Sequence, residues 1–139
     1  SSSSSYAVTA FVQGNCAIRS GAVNFGNIIL PVTPSSAKAE GSLAVNCSAG
    51  LVYKVELDGG NYYLHPARRM KSDSGAAYLS YSLYKDKACS IIWGAGTADA
   101  KQGTGSGSEE LIQICGKVIP AGNEITGLYN DVVTATIIW

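Results

Sequence analysis

The sequence predicts an all-β protein, an antiparallel β-sandwich. Short apolar stretches follow one another at intervals of about ten residues, and Gly, Asn, Ser and Pro separate them. Several stretches alternate between apolar and polar residues, which is the period-two pattern of a half-buried strand. No segment of helical length carries the i, i+3, i+4, i+7 apolar spacing of an amphipathic helix. The 139 residues are enough for one domain with a substantial core.

Four strand candidates occupy the amino-terminal third. YAVTAFVQ, residues 6–13, alternates, and one of its faces carries Tyr6, Val8, Ala10 and Val12. CAIRS follows after a Gly-Asn pair, and VNFGNIIL is a short apolar stretch that ends at Pro31 and Pro34. In SLAVNC, the face predicted to point inward carries Leu43, Val45 and Cys47.

The remaining strands follow the same rule. The inward faces of VYKVELDGG and AYLSYSLY carry Tyr53, Val55, Leu57, Leu79, Tyr81 and Leu83. After the low-complexity stretch from Thr97 to Ser108, which we predict to be an exposed loop, LIQICGKVIP forms another candidate. The chain closes on NDVVTATIIW, in which one face carries Val133, Ala135, Ile137 and Trp139. This last apolar strand has no downstream segment with which to pair, so its hydrogen-bonding partner must come from elsewhere.

The charge composition narrows the function. Lys+Arg number 10 and Asp+Glu number 10, so the formal net charge is +0, and hydrophobic residues make up 46%. Such a chain lacks the basic surface that nucleic acids require, and its low charge suits a protein that assembles with itself. With no initiator Met and no basic-then-apolar leader, we expect a mature chain from which any signal peptide has been removed.

The four cysteines indicate disulfides rather than a metal site. Successive cysteines are separated by 31, 42 and 26 residues, no CxxC pair occurs, and the chain has 1 histidine. Two disulfides and an oxidising compartment are therefore expected. Spacing alone permits three connectivities. A Cys16–Cys47 bond ties the first sandwich strand to the second, and Cys89–Cys115 then follows by elimination.

No catalytic site is predicted. His65 lies in a Pro-containing connection, where a surface loop position is expected. Asp58, Asp86 and Asp131 lie at strand ends, where Asp commonly forms turns. The basic run from Arg68 to Lys71 is interpreted as a solvated loop. We therefore expect a protein that is not an enzyme and that uses no cofactor.

Several stretches in fixed order resemble the spore coat protein U domain family. They are SLAVNCSAG, VYKVELDGG, RRM followed by YLSYSLYKD, WGAG, VIPAG and GLYNDVVTATIIW, and they cover nearly all of residues 16–139. The family includes pilin subunits of archaic chaperone–usher pili of Gram-negative bacteria. Cys89 and Cys115 depart from the pattern, so their pairing rests on the even cysteine count alone.

The resemblance implies an incomplete immunoglobulin-like sandwich that lacks strand G and is completed by donor-strand complementation. Residues 1–13 are then an N-terminal donor-strand extension, and residues 14–139 are the pilin domain. The donor side chains are Tyr6, Val8, Ala10 and Val12. The acceptor groove is lined by Val133, Ala135, Ile137 and Trp139. The implied partners are a periplasmic pilus chaperone, the outer-membrane usher and neighbouring copies of the same pilin, with no nucleic acid. The resemblance also implies that the chain passes through the periplasm to an extracellular pilus with a role in adhesion and biofilm formation.

Other interpretations remain open at this point. Residues 6–13 can instead fold back as an edge strand of their own molecule. The subunit is expected to be a shaft pilin, because 139 residues leave no room for the additional receptor-binding domain of a tip adhesin. A minor or adaptor pilin, a spore or cell-coat structural protein, and a surface carbohydrate-binding module that uses exposed tyrosines are the alternatives.

Overall fold

Nine strands and no helix are present in the computed structural model, which describes residues 1–19, 21–30, 38–75, 77–96 and 98–139. They are β1 (Cys16–Arg19), β2 (Lys38–Cys47), β3 (Val52–Leu57), β4 (Arg68–Ser72), β5 (Tyr78–Tyr84), β6 (Lys101–Thr104), β7 (Glu109–Val118), β8 (Tyr129–Asn130) and β9 (Ala135–Ile138). The predicted all-β class is confirmed. Across these ranges, no helix is long and apolar enough to cross a membrane.

The strands form two sheets. The 6-stranded sheet has the order β1-β2-β7-β5-β4-β8, and the 3-stranded sheet has the order β6-β3-β9. All pairs of named strands are antiparallel. The first and last strands, β1 and β9, therefore each lie at the edge of a different sheet.

The core between the sheets follows the alternation of the sequence. The inward faces predicted for β2, β3 and β5 are confirmed, because their buried residues are Leu43, Val45, Cys47, Tyr53, Val55, Leu57, Leu79, Tyr81 and Leu83. Trp93 joins them from a loop and is 0% exposed. Its indole Nε1 donates a hydrogen bond to the Val55 carbonyl at 3.1 Å, which satisfies the polar atom of this buried ring.

Both disulfides have the predicted pairing. Cys16 and Cys47 are register partners in the β1–β2 ladder, so their bond joins two neighbouring strands. Cys89 is bonded to Cys115 of β7. Because Ile114 points into the core, alternation places Cys115 on the outer face of its sheet, where the loop that carries Cys89 covers it.

The prediction of a loop from Thr97 to Ser108 is wrong for part of its length. Residues Lys101–Thr104 form β6, which pairs with β3. This strand is held by backbone pairing with β3 and by the close packing of its glycine on a tyrosine ring, rather than by apolar side chains of its own. A Cβ atom at Gly103 would lie 2.4 Å from the hydroxyl oxygen of Tyr53, so a glycine lets β6 pack against that ring.

Two other predictions need correction. The basic run Arg68–Lys71 is not a solvated loop, because it belongs to β4 and Arg68 is 5% exposed. In VNFGNIIL only an isolated bridge, Val23 to Gly41, is formed. Its predicted end at Pro31 and Pro34 lies outside the described residues.

Candidate functional site

The two edge strands β1 and β9 lie on the same side of the sandwich. Their Cα atoms come within 8 Å of one another, yet within the described ranges β1 pairs with β2 alone and β9 with β3 alone. Each strand therefore presents a free row of backbone N–H and C=O groups toward the gap between the sheets. Such an edge is a template for pairing with another strand.

The floor of this gap is apolar and only partly covered. On one side Ile18, Val23 and Phe25 pack against the core, and on the other side Val133, Ala135 and Ile137 do so. All six side chains remain partly accessible, whereas core residues deeper between the sheets are nearly fully buried. Phe25 reaches across the floor to contact the ring of Tyr81 edge-on, with centroids 6.4 Å apart. A strand with apolar side chains on alternate residues has the right shape to cover this floor.

The structure brings together three of the four residues predicted to line the acceptor groove. Val133, Ala135 and Ile137 share one face and pack on the core. Trp139 lies one residue beyond the end of β9 and is 53% exposed. Of the predicted side chains, three therefore pack on the core on the β9 side, and Trp139 is more exposed.

The predicted donor residues lie away from this gap. Tyr6 and Val8 are each 86% exposed, Val12 is 91% exposed, and Ala10 is also exposed. The opposite face of the same segment is exposed as well, since Phe11 is 88% accessible. The segment 1–13 thus presents its apolar side chains to solvent instead of packing them on its own domain.

Two aspartates hold the chain where it enters β9, and we call Asp58 and Asp131 the acidic clasp. The Asp58 Oδ1 atom accepts hydrogen bonds from the Gly60 and Thr134 amides, both at 2.9 Å. The Asp58 amide donates to the Thr134 carbonyl at 3.0 Å. Asp58 therefore extends the β3–β9 pairing by one residue and fixes the start of the edge strand.

Asp131 supplies the second half of the clasp. Its Oδ1 atom accepts hydrogen bonds from the Asn61 amide at 2.9 Å and the Val132 amide at 2.8 Å, and its Oδ2 atom accepts one from the Tyr81 hydroxyl. Gly60 has a φ of +86°, and a Cβ atom there would lie 2.2 Å from the Asp131 Oδ2. Only glycine suits this turn, because both the backbone conformation and the space exclude a side chain.

A buried cation lies beneath the clasp. The Arg68 guanidinium donates from Nε and Nη2 to the Asp58 carbonyl, at 3.1 and 3.0 Å, and from Nη1 to the Trp93 carbonyl at 2.9 Å. Burial lowers the pKa of Arg68. Burial and the hydrogen bond to Asp131 raise the pKa of Tyr81. These groups lock the β3–β4 connection, β5 and the entry to β9 into one arrangement.

Sequence reasoning recognised Asp58 and Asp131 as turn formers but did not bring them together. The sequence does contain a pattern that could have predicted the clasp, because one aspartate precedes the Gly-Gly turn after β3 and another precedes the last strand. His65, predicted in a surface loop, is exposed, and its Nδ1 lies 3.1 Å from the Tyr63 hydroxyl.

Two tyrosines near the surface, Tyr62 and Tyr78, are in contact with cations. The Arg69 guanidinium carbon lies 3.9 Å from the centre of the Tyr78 ring, and the Lys71 ammonium lies 5.5 Å from that of Tyr62. A sugar ring needs an open aromatic face. These contacts make the rings of Tyr62 and Tyr78 less suited to stack on a sugar, whereas the exposed ring of Tyr63 lies edge-on to His65 with centroids 6.2 Å apart.

Comparison with known proteins gives consistent results. The family model for the Spore Coat Protein U domain matches residues 2–136. Protein U of Myxococcus xanthus is 36% identical over 141 residues, which cover 91% of this chain and 78% of that protein.

A solved structure shares the fold. It is the crystal structure of the CsuC–CsuE chaperone–tip adhesion subunit pre-assembly complex from archaic chaperone-usher Csu pili of Acinetobacter baumannii. The TM-score is 0.64 at 22% identity, and the alignment covers 92% of this chain. The chain spans 40% of the length of that solved chain. This likeness supports an immunoglobulin-like β-sandwich. On the family match and the identity to Protein U, the chain belongs to the Spore Coat Protein U domain family.

Proposed function

We propose that this chain is a structural subunit of an archaic chaperone–usher pilus and polymerises by donor-strand exchange. One observation carries the proposal. Two sheets end in unpaired edges, β1 and β9, at the same apolar gap, while an alternating apolar segment of the same chain is exposed to solvent. Residues 1–13 act as the donor extension, and residues 14–139 form the domain that accepts it.

In this proposal the segment 1–13 of one copy enters the gap of the next copy as the missing strand. Its inward side chains are Tyr6, Val8, Ala10 and Val12, and they cover the groove lined by Val133, Ala135, Ile137 and Trp139. Burial of these side chains contributes about 5–8 kcal/mol, at roughly 1.5–3 kcal/mol for each large one. Ladder hydrogen bonds add about 0.5–1.5 kcal/mol each. The sum is comparable with the stability of a whole domain, so the donor decides whether the subunit is folded.

The partners follow from the same requirement. An uncovered apolar groove aggregates, so a periplasmic chaperone covers it until the outer-membrane usher exchanges it for the next subunit. The solved complex that shares the fold contains a chaperone and a tip adhesion subunit, and we carry the chaperone over from it as part of the proposal. We assign the chain to the shaft of an extracellular pilus of a Gram-negative bacterium, with a role in adhesion and biofilm formation and without a cofactor.

The test alters the donor face alone. Val8→Asp with Val12→Asp places two charges where the proposal buries apolar side chains, so filament growth is expected to stop. A matched control, Ala7→Asp with Thr9→Asp, alters the opposite face of the same segment and is expected to retain growth. Electron microscopy of cells that express each variant measures the outcome. Normal fibres from the first variant would overturn the donor assignment.

A second candidate is a coat protein. It is favoured by the 36% identity to Protein U and by the family description. Immunogold labelling of producing cells separates the two functions. Label along thin surface filaments supports the pilus subunit, whereas a continuous layer around the cell or spore supports the coat protein.

A further inference from the structure

The point where the extension leaves the domain is held by hydrogen bonds. The Ser48 amide donates to the Asn15 carbonyl at 2.9 Å, and the Asn15 amide donates to the Ser48 Oγ atom at 2.9 Å. The Ser48 hydroxyl lies 3.2 Å from the Asn15 carbonyl. Next to it the Cys16–Cys47 bond closes the last pair of the β1–β2 ladder. We call the pair Asn15 and Ser48 the exit clamp.

The exit clamp extends the β1–β2 pairing by one residue. Asn15 lies opposite Ser48 at the next position of the register, and one backbone hydrogen bond, from the Ser48 amide to the Asn15 carbonyl, joins them. Before it, Gly14 lies against Leu51, since a Cβ atom at Gly14 would be 3.1 Å from both Leu51 methyl carbons. Residues 1–13 therefore leave the domain directed past the β2–β3 connection, and their apolar side chains are exposed there.

To fill the groove of its own molecule, the segment would have to reverse direction at Gly14 and Asn15. The turns that close two- and three-residue hairpins need a residue with positive φ. Neither Gly14 nor Asn15 is among the described residues with positive φ. Reversal thus requires breaking the exit clamp.

The register of a two-residue hairpin, the commonest kind of connection, is also unfavourable. A two-residue turn at Gly14–Asn15 places Gln13 opposite Cys16 and Phe11 opposite Ile18. Cys16 and Ile18 face the core, so Gln13 and Phe11 would point inward with them. Val12 and the rest of the predicted donor face would then point to solvent, because a shift of one residue exchanges the two faces of a strand.

We propose that the exit clamp, together with this register, prevents the chain from completing its own fold and so presents the extension to a second copy. Asn15 and Ser48 are then positioning residues for strand exchange. The inference rests on the proposed function, because it assumes that segment 1–13 is the strand that fills the groove.

The test releases the clamp and corrects the register. Ser48→Ala removes the hydroxyl, and one glycine inserted between Gly14 and Asn15 lets a two-residue turn place Val12 opposite Ile18. The control carries Ser48→Ala and two inserted glycines, which lengthen the connection further but, with the same two-residue turn, return the donor face to solvent. Ser42→Ala, within strand β2, controls for loss of a serine hydroxyl.

Each full-length chain is refolded with its disulfides intact over a range of concentrations, and sedimentation measures the folded monomer. The natural chain is expected to fold only as its concentration rises, because the strand comes from another copy. The one-glycine variant is expected to fold at all concentrations, with a roughly tenfold larger monomer fraction at the lowest one, equivalent to about 1.4 kcal/mol. Equal monomer in the one-glycine and two-glycine variants would overturn the inference. A natural chain that folds alone, with residues 6–13 protected from hydrogen exchange, would do the same.

A peptide experiment separates this inference from the proposed function. A synthetic peptide of residues 1–13 is present while the full-length Val8→Asp, Val12→Asp chain refolds, and circular dichroism measures the folded fraction. A folded fraction that rises with peptide concentration shows that the groove accepts the segment. If the folded fraction rises but the one-glycine variant gains no monomer, the clamp inference alone fails. If the peptide leaves the folded fraction unchanged, the proposed function fails.

Discussion

Removal of the Asp131 carboxylate is expected to be among the most destabilising single changes in the domain. Asp131→Ala deletes the acceptor of the Asn61 amide and of the Tyr81 hydroxyl. Each hydrogen bond to a charged acceptor contributes about 1.5–3 kcal/mol. Tyr81 is only 6% exposed, so its hydroxyl loses its acceptor inside the core. The nearby Arg68 charge also loses a balancing carboxylate. Together these effects lower the free energy of unfolding by about 3–5 kcal/mol.

The assay is urea unfolding of the full-length chain at one fixed protein concentration, because assembly contributes to apparent stability. Thermal unfolding is expected to show a fall in Tm of about 10–15 °C. Asp131→Asn keeps one acceptor oxygen and removes the charge, so its effect is expected to be intermediate. The control is Asp73→Ala, which removes a surface acceptor bonded to the Asn130 amide at 3.3 Å and is expected to change stability by less than about 0.5 kcal/mol. A loss below about 1 kcal/mol for Asp131→Ala would refute the role assigned to the clasp.

Three further changes have defined outcomes. Gly60→Ala places a Cβ atom 2.2 Å from a clasp oxygen at a φ of +86°, and it is expected to lower the free energy of unfolding by about 2–4 kcal/mol. Gly122→Ala, at a φ of +92° in open space, is expected to lower it by about 1–2 kcal/mol, and equal losses for the two variants in urea melts would contradict the clash. Hydrogen bonds from neighbouring groups, Ser90 first, lower the pKa of Asp86 from 3.8 to about 2. This carboxylate therefore stabilises the fold above pH 4 and loses that effect as the pH falls toward 2. Asp86→Ala should lower stability at pH 7 but not at pH 2, and a stability difference between variant and natural chain that stays constant with pH would contradict this role. Cys89→Ser with Cys115→Ser opens a 26-residue loop and should lower stability by about 3.5 kcal/mol in guanidinium melts, whereas an unchanged midpoint would mean that other contacts hold the loop.

The sequence predicted those parts of the fold that depend on local alternation. The inward faces of β2, β3 and β5 were identified because a strand buried on one face must carry apolar residues at every second position. The disulfide pairing was also reached from cysteine positions. β6 was missed because it is built from polar residues and a glycine, and its pairing with β3 is decided by the partner rather than by its own residues.

The sequence predicted the apolar strand that borders the candidate site, but not the polar residues that hold this strand in place. The alternation from Val133 to Ile137 predicted the apolar face of the last strand, and β9 lies at the edge of the 3-stranded sheet with this face on the core. The sequence could not predict the burial of Arg68, because its hydrogen-bonding partners are backbone carbonyls that only the folded chain brings close to it. Likewise, each clasp aspartate accepts a hydrogen bond from a backbone amide that is distant in sequence. Asp58 accepts from Thr134, and Asp131 accepts from Asn61.

The gap lies between strands from opposite ends of the domain, β1 and β9, and this has a kinetic consequence. The two sides are separated in sequence by nearly the whole domain, so bringing them together closes a long loop and costs chain entropy. Folds dominated by such distant contacts are slow to form and expose apolar surface while they do so. The gap is thus expected to be the last feature to form, so the apolar side chains that line it stay accessible for longer than the rest of the core.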